Sequence, residues 1–133
     1  MTDRKITYAL NKIKSSKESG HPVEAIIRSY LLNVELIRFI LSVTSPTIDL
    51  KDKKTKTLVN LLLKELTLHP ELKSIIHKKS LKSLKPWLAK TDAFFKNLKM
   101  GVLNNTLALQ TESDKIFGLL KISANKLLLK GKR

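Results

Sequence analysis

Residues 22–43 read PVEAIIRSYLLNVELIRFILSV, and this stretch decides the fold. Pro22 suits the opening turn of a helix, because the N–H that proline lacks would have no partner within the helix at that position. On a helical wheel, one narrow stripe collects the charged side chains, and most other positions are apolar. The pattern predicts a central helix that is buried around most of its circumference and has one solvent-exposed edge.

The exposed stripe holds four charged residues and one leucine: Glu24, Arg28, Leu31, Glu35 and Arg38. Its two Glu/Arg pairs have the spacing of intrahelical ion pairs, worth roughly a few tenths of a kcal/mol each. A solvated edge is the favoured interpretation, and a functional groove is the alternative. Ser29 and Asn33 lie inside the apolar arc, so they need hydrogen-bond partners if they are buried, or they serve an interface.

Apolar periodicity predicts a helix on either side of the central one. The first covers about residues 4–19. After the central helix, a turn cluster at 44–47 and an irregular connection over 48–54 lead to a third helix. The apolar face of the third helix occupies residues 58–66, and the helix ends at His69-Pro70.

The second half of the chain predicts two long helices. Residues 70–79 are expected to form a short helical turn, and the next major helix starts near Ser83, with Pro86 in its first turn. Its large aromatics recur at helical spacing, which favours core packing over base stacking. Possible capping residues at 111–114 begin the last helix.

Length and composition set the fold class. A chain of 133 residues with 42% hydrophobic residues can build one compact core and is too short for two ordinary domains. The sequence therefore predicts an all-α protein, a single-domain bundle of about five helices over residues 1–129, followed by a short basic tail at 130–133.

The sequence lacks the common signatures of an enzyme. It has no cysteine, which excludes disulfides and zinc–thiolate sites. None of its three histidines, His21, His69 and His77, has a second ligand at convincing metal spacing, and glycine-rich phosphate loops are missing. We predict a non-enzymatic protein with no catalytic residue, metal or cofactor.

Positive charge is the clearest functional signal. The chain has 26 Lys and Arg against 11 Asp and Glu, a formal net charge of +15. Six lysines follow one another with no acidic residue between the first and the last: Lys73, Lys78, Lys79, Lys82, Lys85 and Lys90. Lysine is a flexible point charge, so this run predicts contact with a phosphate backbone without sequence reading. The alternative is that the lysines only solvate helix surfaces.

Two functions follow from these observations. The first is a basic module that binds RNA or the DNA backbone through the six lysines. The second is a protein-interaction or homo-oligomerisation bundle, in which an apolar helix face meets an identical or acidic partner. Binding to a membrane surface is disfavoured because the aromatics are assigned to the core. The N-terminus lacks the apolar stretch of a signal peptide, so a cytoplasmic location is expected.

One segment carries a family resemblance. The segment from Lys14 to Leu41, which includes SKESGHPVEAIIRSYLLNVELIRFIL, resembles the opening helical hairpin of HEPN-type domains, with Ala25, Ser29, Tyr30, Glu35 and Leu36 on the long helix after Gly20. That superfamily consists of small helical bundles, many of which are ribonucleases or RNA-binding partners in toxin–antitoxin and nucleotidyltransferase systems.

The resemblance does not extend to the catalytic motif. Active HEPN members carry an arginine on a late helix, followed a few residues later by histidine, and residues 85–98 contain neither residue. Arg28 and Arg38 are not followed by such a histidine either. The resemblance therefore implies a non-catalytic member, and no catalytic residue carries over to this chain.

Overall fold

The computed structural model describes residues 3–70, 78–101 and 106–131 of the chain. These residues form five α-helices and no strand, which confirms the all-α bundle expected from the sequence. In chain order the helices are α1 (Asp3–Glu18), α2 (Pro22–Thr44), α3 (Thr55–Leu68), α4 (Lys78–Lys99) and α5 (Thr106–Gly131).

The central helix of the bundle is α2, as its sequence predicts. It packs most extensively against α5, and it also packs against α1 and α3. Its apolar side chains cover more than half of the helix circumference, so neighbours bury it from several sides. The most deeply buried α2 side chains include Ala25, Ile26, Leu36, Ile37, Ile40 and Leu41. Burial of each leucine or isoleucine contributes about 1.5–3 kcal/mol, so α2 anchors the core.

A tight turn joins α1 and α2 into an antiparallel hairpin. Gly20 adopts φ +75° in this turn, a left-handed conformation that glycine reaches without the steric cost of a Cβ. The His21 N–H donates to the Ser16 carbonyl oxygen at 2.8 Å and so closes the end of α1. Ile6 and Ile13 of α1 are buried, and this hairpin therefore forms one edge of the core.

The last helix runs parallel to the central one. Gln110 of α5 donates to Ser29 of α2 at 2.8 Å, and one turn further along both helices Asn33 donates to the Ser113 carbonyl oxygen at 3.1 Å. Two parallel neighbours need a crossover between them, and α3 and α4 supply it.

The second helix of the crossover, α4, runs antiparallel to α5. Trp87 contacts Ser113, whereas Lys90, later in α4, contacts Glu112, earlier in α5. The α4 side that faces the core carries five buried residues: Leu84, Trp87, Leu88, Thr91 and Phe94. Burial of the α4 aromatics agrees with the sequence prediction.

Arg38 fixes the connection between α2 and α3. Its guanidinium donates to the carbonyl oxygens of Leu50 at 2.7 Å and Lys53 at 3.0 Å. The expected ion pair between Glu35 and Arg38 is not formed, because those backbone carbonyls take the arginine instead. Arg38 therefore ties the connection to α2, and its guanidinium supplies hydrogen bonds to two backbone carbonyl groups that no helix or strand satisfies.

The start of α4 differs from the sequence prediction. The helix includes Lys78, so it begins at least five residues before Ser83, and Pro86 lies in its interior rather than in its first turn. A proline at this position removes the hydrogen bond to the Lys82 carbonyl. Both residues are exposed, so water can satisfy that carbonyl, and this lowers the cost of a proline inside the helix. The short helical turn expected at 70–79 falls mostly outside the described residues.

The start of α5 also differs from the prediction. The helix begins at Thr106, so the expected capping residues at 111–114 lie within it. Their side chains bind elsewhere: Thr111 donates to the Leu107 carbonyl oxygen, and Ser113 accepts a hydrogen bond from Trp87. At the other end, α5 continues to Gly131 and takes in the first two residues of the expected basic tail.

Candidate functional site

The outer face of α4 concentrates positive charge. Residues Lys78–Lys99 contain seven lysines and one acidic residue, Asp92. Lys82, Lys85 and Lys96 fall within a sector of about 60° on the side opposite the buried face. We call these three residues the lysine ridge. Between its ends the ridge spans about 21 Å along the helix axis, at about 1.5 Å per residue.

The charges of the lysine ridge are not neutralised by any residue that the structure describes. Lys82, Lys85 and Lys96 are exposed, and they form no hydrogen bond or ion pair with another residue that the structure describes. Lysines elsewhere are partly compensated, as in the pairs Lys17–Asp114 at 3.1 Å and Lys121–Asp3 at 3.0 Å. The other long helices also hold more acid: α1 has five basic and two acidic residues, and α2 has two of each.

Small side chains separate the lysines of the ridge. Ala89 is exposed and lies between Lys82 and Lys96 on the helical wheel, and the exposed Ala93 lies about 20° beyond Lys82. Ala89 is the only residue other than lysine within the ridge sector between Lys82 and Lys96, and the exposed carboxylate of Asp92 lies about 20° outside that sector, beside Lys85. A polyanion can approach the Lys82 side of this surface closely, whereas Asp92 repels phosphates at the opposite edge.

The structure divides the six lysines predicted from the sequence. Lys82 and Lys85 lie on the ridge, whereas Lys90 lies on the flank of α4, where its Nζ is 2.9 Å from Glu112 Oε2 of α5. Lys73 is outside the described residues. The positions of Lys78 and Lys79 are in the first turn of α4, but their side chains are also outside the described part.

Sequence reasoning missed Lys96. Asp92 ends the acid-free run, so Lys96 lies outside it. A helical wheel continued through Asp92 places Lys96 within about 20–40° of Lys82 and Lys85. The helical period of the sequence therefore indicates that Lys96 belongs with Lys82 and Lys85, although the three residues are not in one uninterrupted run of lysines.

A second feature is a groove between α1 and α2, closed at one side by the 45–54 connection. Its volume is about 570 Å³. We call it the α1–α2 groove and define it by the residues that line it: Lys5, Tyr8, Ala9, Lys12, Arg28, Leu31, Leu32, Glu35, Arg38, Phe39, Ser42 and Leu50. Four of the five residues of the predicted charged stripe line it, so the exposed edge of α2 is concave.

Opposite charges partly organise this groove. Arg28 donates two hydrogen bonds to Glu24 Oε1, at 2.9 and 3.1 Å, as the sequence spacing predicts. This hydrogen bonding and the positive charge of Arg28 lower the pKa of the exposed Glu24 carboxyl below its ordinary value, against a smaller effect of desolvation. Glu35 forms no hydrogen bond or ion pair with any residue that the structure describes.

A buried polar cluster lies between α2, α4 and α5. The Trp87 indole N–H donates to Ser113 Oγ at 3.0 Å, and Gln110 Nε2 donates to Ser29 Oγ and, at 2.9 Å, to Asp114 Oδ1. Ser29 Oγ and Asn33 Nδ2 therefore have the partners that burial requires, whereas the buried Asn33 Oδ1 accepts no hydrogen bond from the described residues. Such bonds fix the register of helices whose apolar faces could slide, so the cluster has a structural role.

The described residues offer no site for a metal ion among their histidine and acidic side chains. His77, one of the three histidines considered from the sequence, lies outside them. Within the same residues, every helix is too short or too polar to cross a membrane.

Comparison with known proteins leaves the chain without a match among protein-family models, curated proteins or solved structures. Its function is therefore inferred from its own residues.

Proposed function

We propose that this chain is a non-enzymatic nucleic-acid-binding module that contacts the phosphate backbone of RNA or DNA through the lysine ridge. The observation that supports the proposal is the outer face of α4, where three exposed lysines have no acidic partner among the described residues. This observation changes the set of lysines predicted from the sequence. Lys82 and Lys85 stay in the proposed site and Lys96 joins them, whereas Lys90 leaves it because it forms an ion pair with Glu112.

The chemistry of the ridge favours backbone contact over base recognition. Lysine ammonium groups attract phosphates as point charges and lack the planar fork with which arginine reads a base edge. The α4 aromatics Trp87 and Phe94 are buried, so they cannot stack on bases. A ridge of about 21 Å is long enough to contact several phosphates of a duplex, which carries one charge per about 1.7 Å of its axis.

Salt dependence tests the proposal. Binding of a fluorescent duplex is measured by anisotropy at several salt concentrations, because each phosphate contact contributes about 0.9 to the slope of log K against log salt. We expect the triple variant Lys82→Gln/Lys85→Gln/Lys96→Gln to lose affinity at low salt and to lower the slope by about 0.9 for each lysine that contacts phosphate.

A matched control separates the ridge from net charge. The triple variant Lys56→Gln/Lys64→Gln/Lys126→Gln removes three exposed lysines from α3 and α5 and leaves the same net charge as the ridge variant. It should keep most of the wild-type affinity and slope. Equal losses in both variants, or no wild-type binding at low salt, would refute a ridge-specific site.

A second candidate is a protein-interaction function, and one observation favours it. Tyr8 and Leu31 in the α1–α2 groove are 64% and 55% exposed, which leaves a large aromatic and a leucine in contact with solvent. The relationship to a non-catalytic HEPN-like bundle also stays a proposal, and RNA is the nucleic acid that it favours for the ridge.

A further inference from the structure

The α1–α2 groove combines apolar side chains with a charged rim. Tyr8 of α1 and Leu31 of α2 stand exposed in it, and Phe39 and Leu50 also line it as partly buried residues that belong to the main core. An occupant would therefore remove apolar surface from water while resting on side chains that the core already holds in place. From Arg28 to Ser42 the groove follows α2 for about 21 Å, about four helical turns.

The charges around the groove are mostly positive. Four cationic side chains line it against the single carboxylate of Glu35: Lys5, Lys12, Arg28 and Arg38. Arg28 pairs with the carboxylate of Glu24, while Arg38 donates to neutral carbonyl oxygens that leave its charge in place. The Lys12 ammonium lies 5.5 Å from the centre of the Tyr8 ring, so a cation stands beside the exposed aromatic.

Charge complementarity identifies the occupant. A second copy of this chain brings the same excess of positive charge, +15 in total, and is repelled. A nucleic acid strand offers phosphates to the rim but few apolar groups to Tyr8 and Leu31. A helix with leucines on one face and carboxylates along its flanks satisfies both the apolar side chains and the rim.

We propose that the α1–α2 groove binds an acidic amphipathic helix of another protein. The inference rests on the second candidate function and is independent of nucleic-acid binding by the lysine ridge. The hairpin is antiparallel, so Lys12 lies towards the Arg28 end of the groove and Lys5 towards the Glu35 end. Glu35 repels a carboxylate that is placed beside it, and this repulsion selects one register of the bound helix.

A synthetic peptide tests the proposal. The probe is a labelled peptide of about 16 residues, long enough for four turns, with leucines at helical spacing on one face and glutamates on both flanks. Its control has the same composition in an order that destroys the amphipathic pattern. We expect the patterned peptide to bind the full-length protein at least tenfold more tightly than the control peptide.

Variants locate the binding site. Tyr8→Ser and Leu31→Ser should each weaken binding of the patterned peptide about tenfold, and Lys12→Gln should weaken it with a reduced dependence on salt. Leu107→Ser and Ile122→Ser are the matched controls, because both residues are exposed apolar side chains of α5 outside the groove. They should bind the peptide as the wild type does, and thermal unfolding should show that every variant is folded.

Four results would overturn the proposal. The first three are no binding of the patterned peptide, equally tight binding of the control peptide, and unchanged binding by Tyr8→Ser and Leu31→Ser. The fourth is self-association of the protein that Leu31→Ser abolishes, which would assign the groove to a second copy. The test also separates the two surfaces. The ridge triple variant should retain peptide binding, and Leu31→Ser should retain nucleic-acid binding. A negative result for one of the two proposed sites therefore does not count against the other.

Discussion

At the scale of single residues, Ser113 is the side chain whose loss should be most specific. Its hydroxyl accepts the only hydrogen bond found for the Trp87 indole N–H among the described residues, and both side chains are almost fully buried. Ser113→Ala removes that acceptor and leaves a buried donor without a partner. We expect the free energy of unfolding to fall by about 1–3 kcal/mol, measured by urea denaturation with circular dichroism.

Ser42→Ala is the control for that measurement. Ser42 is exposed, and its hydroxyl donates to the Phe39 carbonyl oxygen at 2.6 Å within the same helix. Loss of an exposed hydroxyl should change the free energy of unfolding by no more than about 0.5 kcal/mol. If Ser113→Ala costs no more than Ser42→Ala, the indole hydrogen bond does not stabilise the fold.

The polar cluster shows what a sequence can and cannot predict about a residue. The positions of Ser29 and Asn33 inside an apolar arc were enough to predict buried hydrogen bonds. Their partners, Gln110 and Ser113, are 81 and 80 positions away, and no local pattern encodes which of many polar residues will meet them. Lys90 illustrates the same point, since its partner Glu112 becomes evident only when α4 packs on α5.

At the scale of a helix, two glycines should respond in opposite directions to the same change. Gly118 lies inside α5, and a Cβ at this position would meet nothing within 4 Å. Gly118→Ala should therefore raise the free energy of unfolding by roughly 0.5–1 kcal/mol, because alanine loses less backbone freedom on forming a helix.

Gly20 provides the contrast. Space is also open around it, but its φ of +75° is unfavourable for a residue with a Cβ. Gly20→Ala should lower the free energy of unfolding by roughly 1–2 kcal/mol. Denaturant unfolding of both variants checks the pair, and changes of the same sign in the two variants would contradict the explanation.

Helix boundaries were predictable where local signals acted alone. Gly20 and Pro22 mark the junction of α1 and α2 in the sequence, and the structure places the junction there. Pro86 and the 111–114 segment led to wrong predictions of where α4 and α5 begin. Proline can lie on the exposed side of a helix, and residues that often cap helices can bind other partners. The lysine ridge was found in part for a related reason: helical period, rather than distance along the chain, brings Lys96 beside Lys85.

At the scale of the whole molecule, net charge should oppose folding. The formal charge of +15 is spread over a small domain, and surface ion pairs such as Lys17–Asp114 contribute only about 0–1 kcal/mol each. Raising NaCl from about 0.05 to about 0.5 M screens the repulsion between exposed charges. We expect Tm to rise by a few degrees, where about 3–5 °C corresponds to roughly 1 kcal/mol for a domain of this size.

Scanning calorimetry over a salt series checks this expectation. Both triple lysine variants carry three fewer positive charges, so each should show a smaller increase of Tm with salt than the wild type. A Tm that falls as salt is added would mean that attraction within ion pairs outweighs the repulsion. Sulfate is left out of the series, because it could bind the lysine ridge and raise Tm by mass action.

The parallel pairing of α2 and α5 has a consequence for biosynthesis. Asn33 emerges from the ribosome 80 residues before Ser113, and translation at about 5–20 residues per second makes that interval about 4–16 s. During it, the side of α2 that α5 later covers has no permanent neighbour, although α1 can already pack against the other side. The nascent chain therefore offers an apolar surface to chaperones until its last helix has been made.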